Sequence, residues 1–422
     1  MPEVALDALT SRGSESAPRV RASGRSGLLA LTGIVISGCG GGGSGTGNGP
    51  PSSLPTPSVV KAPVQLGVYP VAQSTQNPAR IFITVSTVGS QAVQLPLALD
   101  TGSAGLTLNA LAVFPSSMVS MSGFEFASGQ TSLSYNGITV TNQQASRAYG
   151  GSSGHTQIGN IGYAQITFGV ANGTLTSQTM PILFYYKVVS TASNQPVTES
   201  VQDGWFGIND APNLVSVSGG AASLPACAAG VNGSCWVVSV LKYLTYGTGV
   251  DGGFIVDPVV LQNCDIATTG SCTPQAALTV GITPPLTAGF SLAQLQCPPA
   301  TYTGPASISG FAVCQERISD TTISAATAPG GSYVTTAIFD TGTPYTVLNV
   351  PAGTVFPTVI PSGDDIQVTT PSGFVYTQTS STDVSAINVN SAASTNAAVI
   401  GLGYFTTNSL LVNFTNENQG WK

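Results

Sequence analysis

Two stretches of the chain carry the same tripeptide, "LPLALDTGSAGLTL" (Leu95–Leu108) and "AIFDTGTPYTVL" (Ala337–Leu348). In each, an apolar run ends in an acid, Asp100 or Asp340, turns through Thr and Gly, and resumes as a second apolar run. One Asp-Thr-Gly says little, because many strand-to-turn junctions contain Asp and Gly. Two copies in matched settings point to an internal duplication with the acids at equivalent places in two halves. If the halves pack about a pseudo-twofold axis, the two carboxylates meet. Carboxylates in contact do not both ionise; they share a proton. The ionised one is then a general base toward a water held between them, and the protonated one can polarise a carbonyl. Gly102 and Gly342 let the backbone turn tightly and approach the acids. Thr101 and Thr341 carry hydroxyls able to tie the two loops together. Ser103 and Thr343 are placed to hydrogen-bond the carboxylates from outside and orient them.

What must position these loops is a β framework. The chain has 422 residues, of which 42% are apolar and only 7% charged. An ordinary soluble protein carries roughly 25% charged residues. Here Gly, Ser, Thr, Asn and Gln must cover the surface, and with 50 glycines the composition favours strands and turns over helices. From about Val64 the pattern is short β-like runs separated by turn signals. "YNGI" and "ANGT" each hold Asn-Gly, a strong hairpin dipeptide. "SVLKYL" is one short helical candidate. The expected class is all-β and mostly antiparallel. The net charge is −7 and no basic stripe is present, which argues against a nucleic-acid partner.

Four further stretches accompany the two tripeptides. "AYGGSSGHTQIGNIGYAQITFG" (Ala148–Gly169) reads as a glycine-rich hairpin. "DGWFGIN" (Asp203–Asn209) is an Asp-Gly-hydrophobic-hydrophobic-Gly element. "VIG" (Val399–Gly401) repeats its second half, and "LLVNFTNENQGW" ends the chain as a hairpin. In this order the elements resemble the pepsin-like aspartic proteases, over roughly Val64 to Trp421. The resemblance implies a bilobal pepsin-like fold with pseudo-twofold related lobes. It implies that Asp100 and Asp340 are catalytic, that Tyr149 is the flap tyrosine, and that Gly150, Gly151 and Gly154 give the flap its mobility. No metal and no cofactor are implied. Trp205 and Phe206 are expected in the core behind the first loop, and His155 as a polar hairpin residue. Asp203 and Asp251 are expected to be structural. The sequence departs from the family where Gly401 is followed by Leu402, and in the long span between the aspartates.

The N-terminus reads as a targeting device. A basic stretch (Arg19–Arg25) precedes an apolar run (Gly27–Gly38) that is too short to span a bilayer comfortably. "VISGC" resembles a bacterial lipobox, which makes Cys39 the expected lipidation site. Gly40 follows it, with no Asp there, and this resembles the outer-membrane pattern. A Gly/Ser/Pro tether follows and cannot bury a core. Beyond Cys39 there are six cysteines. They can pair in many ways, but each sequential pair closes a short loop, so Cys227-Cys235, Cys264-Cys272 and Cys297-Cys314 are favoured. Zinc fits poorly, since no C-x₂-C pair exists and the chain has one histidine. An oxidising compartment is the better reading.

The expected organisation is a signal region (1–39), a tether (40–60), a first lobe with the flap (61–260) and a second lobe (261–422). The expected function is that of an exported, lipid-anchored, monomeric aspartic endopeptidase of the periplasm or cell surface, acting on peptides or proteins. It touches the membrane only through its anchor. A catalytically inactive binding protein on the same fold is the alternative, since fold does not determine activity. A surface adhesin with unrelated Asp-Thr-Gly turns is a third reading, and it requires the two acids to lie far apart.

Overall fold

Alternation of polar and apolar residues sets most of the strands. Val375–Thr379 turns Tyr376 and Gln378 inward and its other residues out. Ser332–Phe339 buries Tyr333, Thr335, Ala337 and Phe339. Such strands give one face to the core and one to solvent. Gly204–Ile208, "GWFGI", is buried at every position instead, and its place between two other strands explains why.

The computed structural model describes residues 53–422 apart from 75–77, 151–153, 171–172, 199–202, 218–227, 230–233, 268–269, 299–303, 305, 316, 326–330 and 394–395. The signal region, Cys39, the start of the tether, Gly151 and Cys227 therefore lie outside the described residues. The described chain is almost entirely β, in large and mostly antiparallel sheets. Helical segments are single turns, among them Val240–Tyr243 within "SVLKYL".

A four-strand arrangement occurs twice. The first acid ends the strand Gln91–Asp100, which pairs on one side with Arg80–Val88. After the Asp-Thr-Gly loop the chain returns as Ala104–Asn109. Gly204–Ile208 is inserted between the two, parallel to the first with Gly207 opposite Asp100, and antiparallel to the second with Gly207 opposite Gly105. Met180–Ser190 runs parallel along the outer edge of Ala104–Asn109. Around the second acid the order repeats. Ala397–Ile400 lies parallel to Ser332–Phe339 and antiparallel to Thr346–Pro351. Ile387–Ala393 then runs parallel to Thr346–Pro351.

The remaining strands connect these sets. Val64–Val71 pairs with Arg80–Val88 and with Gln275–Ile282. Asp251–Val256 lies between Gln275–Ile282 and Leu410–Asn413. The final hairpin pairs Leu410 with Trp421. The "YNGI" turn joins Ser132–Tyr135 to Ile138–Tyr149, and Asn136 and Gly137 both take positive φ, 47° and 77°. Those angles match a two-residue hairpin whose twist suits its strands. Of "ANGT", residues 171–172 lie outside the described set.

Aromatic packing roots the second acid-bearing strand and the strand inserted beside the first. Phe339, one residue before Asp340, meets Tyr404 and Trp421 at ring distances of 4.7 and 5.7 Å. Phe206 lies 4.9 Å from Phe168. All five side chains are fully buried. Two disulfides, Cys264–Cys272 and Cys297–Cys314, close short loops and indicate an exported protein. Glu417 lies beside Cys297 and Cys314, but those sulfurs are bonded to each other and offer no thiolate to a metal. No helix among the described residues is long and apolar enough to cross a membrane.

Candidate active site

The two Asp-Thr-Gly loops meet head to head. The Thr101 amide donates to Thr341 Oγ1 at 3.0 Å, and the Thr341 amide donates to Thr101 Oγ1 at 2.9 Å. Each hydroxyl then donates across to the other strand. Thr101 Oγ1 reaches the Phe339 carbonyl and Thr341 Oγ1 the Leu99 carbonyl, both at 2.7 Å. Both threonines are fully buried. Four hydrogen bonds among groups hidden from water are hard to give up, because each orphaned group costs about 1–3 kcal/mol.

The carboxylates are gripped in the same way on each side. The Gly102 amide donates to Asp100 Oδ1 at 2.8 Å, and the Gly342 amide donates to Asp340 Oδ1 at 2.7 Å. The Ser103 hydroxyl donates to Asp100 Oδ2. The Thr343 hydroxyl donates to Asp340 Oδ2 at 2.5 Å. Each glycine lies against the opposite acid. A β-carbon on Gly102 would sit 2.5 and 2.6 Å from the two Asp340 oxygens, and one on Gly342 would sit 2.6 Å from Asp100 Oδ1. No side chain fits there. Asp100 and Asp340 thus face each other within hydrogen-bonding reach, which removes the condition that an unrelated-turn adhesin required.

Burial and then the Asp100 charge push the Asp340 carboxyl up to about 7, although its bonds to Thr343 and Gly342 pull the other way. The touching pair therefore keeps one proton between its carboxylates through the acid range. A carboxyl raised in the folded state binds its proton more tightly there than in the unfolded chain. Its contribution to stability is full at low pH and is lost as pH rises from about 3.8 through about 7. The melting temperature is expected to fall across that window. Asp203, raised to about 6 by burial, adds to the fall. Thermal melts of wild type and Asp340→Asn separate the two, since the variant keeps only the smaller decline; identical pH dependence in both would contradict the assignment.

The Gly-rich hairpin stands over an aromatic stack. Ile138–Tyr149 pairs with His155–Ala164, Tyr149 opposite His155. The Tyr149 ring stacks on Trp205 at 4.9 Å and on His155 at 5.5 Å. Phe206 faces the main core, but Trp205 does not join it. Trp205 turns to the opposite face and forms a separate cluster with Phe82 and Ala98, against which Tyr149 packs. Successive strand residues point to opposite faces, so neighbours in sequence part here. Trp205→Ala is expected to lower stability by about 3–5 kcal/mol. Urea unfolding checks this, and a change below about 1 kcal/mol would mean that the ring is not packed as described. Gly150 has a φ of 71° and begins the turn. Asp251 accepts from Asn413 and Asn416 at the C-terminal hairpin, away from the acids.

Several polar residues enter the surroundings unannounced by any motif. Asn209 Nδ2 donates to the Thr101 carbonyl at 2.9 Å, and its amide donates to the Ser103 carbonyl at 2.9 Å. Buried Arg147 donates to Asn213 Oδ1 at 3.1 Å and lies over the Tyr149 ring. Asn213 Oδ1 also accepts from the Ala104 amide, so the hairpin is linked to the first loop. The sequence signal was present only as polar letters inside apolar runs.

No protein-family model matches the chain, and no curated protein matches it. Among solved structures it is similar to the aspartic proteinase from Irpex lacteus, at 15% identity and a TM-score of 0.49, covering 85% of this chain and 96% of that one. It is also similar to basic 7S globulin from soybean, at 11% identity and a TM-score of 0.46, covering 86% of this chain and 96% of that one.

Proposed function

We propose that the protein is an aspartic endopeptidase that hydrolyses peptide bonds with a water activated between Asp100 and Asp340. The observation that carries this reading is the mutual fit of the two loops, with each glycine seated against the opposite carboxylate and each threonine bonded across. Asp340 keeps the shared proton and offers it to the substrate carbonyl oxygen. Asp100 accepts a proton from the water as the water oxygen attacks the carbonyl carbon. The resulting gem-diol collapses as the C–N bond breaks: Asp100 gives the nitrogen the proton it took from the water, and Asp340 takes back a proton from a gem-diol hydroxyl as the carboxyl product forms. No covalent bond to the protein forms. Thr101, Gly102, Ser103, Thr341, Gly342 and Thr343 hold the pair in register. Tyr149, Gly150 and Gly151 close over an extended peptide. The two four-strand sets belong to the two lobes of a pepsin-like fold, 61–260 and 261–422. Cys39 carries the lipid, and the tether holds a monomeric body off the membrane, in the periplasm or at the cell surface. The anchor is read as lying in the outer membrane because Gly40 after Cys39 resembles that pattern.

The test is incubation of the purified full chain with a reduced, alkylated protein across about pH 3 to 7, with and without pepstatin, reading fragments by mass spectrometry. Internal cleavage that pepstatin blocks is the expected result. An intact substrate at every pH, from correctly disulfide-bonded protein, would overturn the reading in favour of a binding role.

A further inference from the structure

The first loop has a support that the second lacks. Asn209 holds the Thr101 and Ser103 carbonyls. The next residue, Asp210, is completely buried and forms an ion pair with Lys242, whose side chain is equally buried. Lys242 Nζ also donates to the Asp210 carbonyl at 3.3 Å and to the Ala312 carbonyl at 2.9 Å, and lies 5.0 Å from the Phe414 ring centre. From the same helical turn, the Ser239 hydroxyl donates to the Ile208 carbonyl at 3.0 Å. Residues 208–210 are thus clamped from both ends of one turn. The clamp is tied in turn to the loop closed by Cys297–Cys314 and to the final hairpin.

Around the second loop the corresponding packing is apolar. The Thr343 carbonyl accepts from the Leu402 amide at 2.9 Å. Leu402, Tyr404 and Phe405 follow, all fully buried, and Gly403 has no side chain to offer the Thr341 carbonyl. A buried ion pair is a poor way to gain stability, because apolar residues of the same volume often do as well or better. What it supplies is direction: an ammonium with fixed acceptors sets a backbone position that apolar contact would leave to slide.

We infer that Asp210 and Lys242 are positioning residues for Asp100, acting through Asn209 and the Thr101 carbonyl. The inference rests on the endopeptidase reading. The pair touches no substrate. It holds the main chain at 208–210 so that the Asn209 side chain and amide fix the first loop, while on the second loop the Leu402 amide bond is backed by apolar packing.

Two variants of the full chain test this on a reduced, alkylated protein substrate. In Asp210→Leu/Lys242→Met the charges leave together, so no unpaired charge is buried. The melting temperature is expected to stay near that of wild type while kcat falls about ten- to a hundredfold and KM is unchanged. Asn209→Ala leaves the ion pair in place and removes two side-chain bonds, the one to the Thr101 carbonyl and the one accepted from the Ala211 amide. It is expected to lower kcat to a similar degree, with no further loss when the changes are combined. Wild-type kcat in a folded double variant, or in Asn209→Ala, would overturn the inference. If the double variant fails to fold, Asn209→Ala decides alone. Wild type that cleaves nothing would instead overturn the endopeptidase reading, so the two failures are distinguishable.

Discussion

Asn in place of either Asp100 or Asp340 lowers peptide hydrolysis by at least about a thousandfold, with the fold intact. The substitution is nearly isosteric, and each Oδ1 still accepts from its glycine amide. The outer hydrogen bond changes sense: Ser103 and Thr343 now donate to the acids, and opposite an amide nitrogen each hydroxyl must accept instead. A hydroxyl rotates to do that at little cost. The chemistry has no such escape. Without Asp100 there is no carboxylate to take the proton of the water. Without Asp340 there is no acid proton for the carbonyl oxygen. Stability at neutral pH is expected to hold or rise, because like charges no longer face each other. Initial rates on an unfolded protein, beside thermal melts, check both parts. A variant that keeps more than about a tenth of the rate would remove its acid from the mechanism.

The second large effect is expected at Gly102. A methyl group there would lie inside contact distance of both Asp340 oxygens, so Gly102→Ala must push the carboxylates apart. The loop cannot absorb this by sliding, because Thr101 beside it is held by three hydrogen bonds to the other loop and its strand and by Asn209. Overpacking of this kind costs about 1–3 kcal/mol, and the misplaced pair should lose about a hundredfold in rate. Gly342→Ala should behave alike, since its methyl group would meet Asp100. Kinetics and urea unfolding of both variants check this. A Gly102→Ala protein with wild-type kinetics would mean that the two loops are not packed as described.

Much of this was legible because the relevant residues sit where local chemistry shows. The paired Asp-Thr-Gly runs, the Asn-Gly turn at Asn136 and the closing "LLVNFTNENQGW" hairpin each follow from a few adjacent letters. The four-strand order did not. Gly204–Ile208 lies between strands nearly a hundred residues earlier, and no periodicity reveals which gap a fully buried run will fill. Trp205 read as an ordinary core aromatic, since which face a buried strand residue takes depends on register rather than type. Asp210 and Lys242 were the least visible. One lies in a turn-like "INDAPN" and the other in an apolar "SVLKYL", and their pairing exists only through the fold.

The most direct test of the central claim, a proton shared between Asp100 and Asp340, is the pH dependence of kcat/KM for the full chain on a quenched peptide. The predicted profile falls as pH passes about 7, where the pair gives up its shared proton. Cleavage that persists undiminished well above that point, or an Asp340→Asn variant with the wild-type profile, would contradict it.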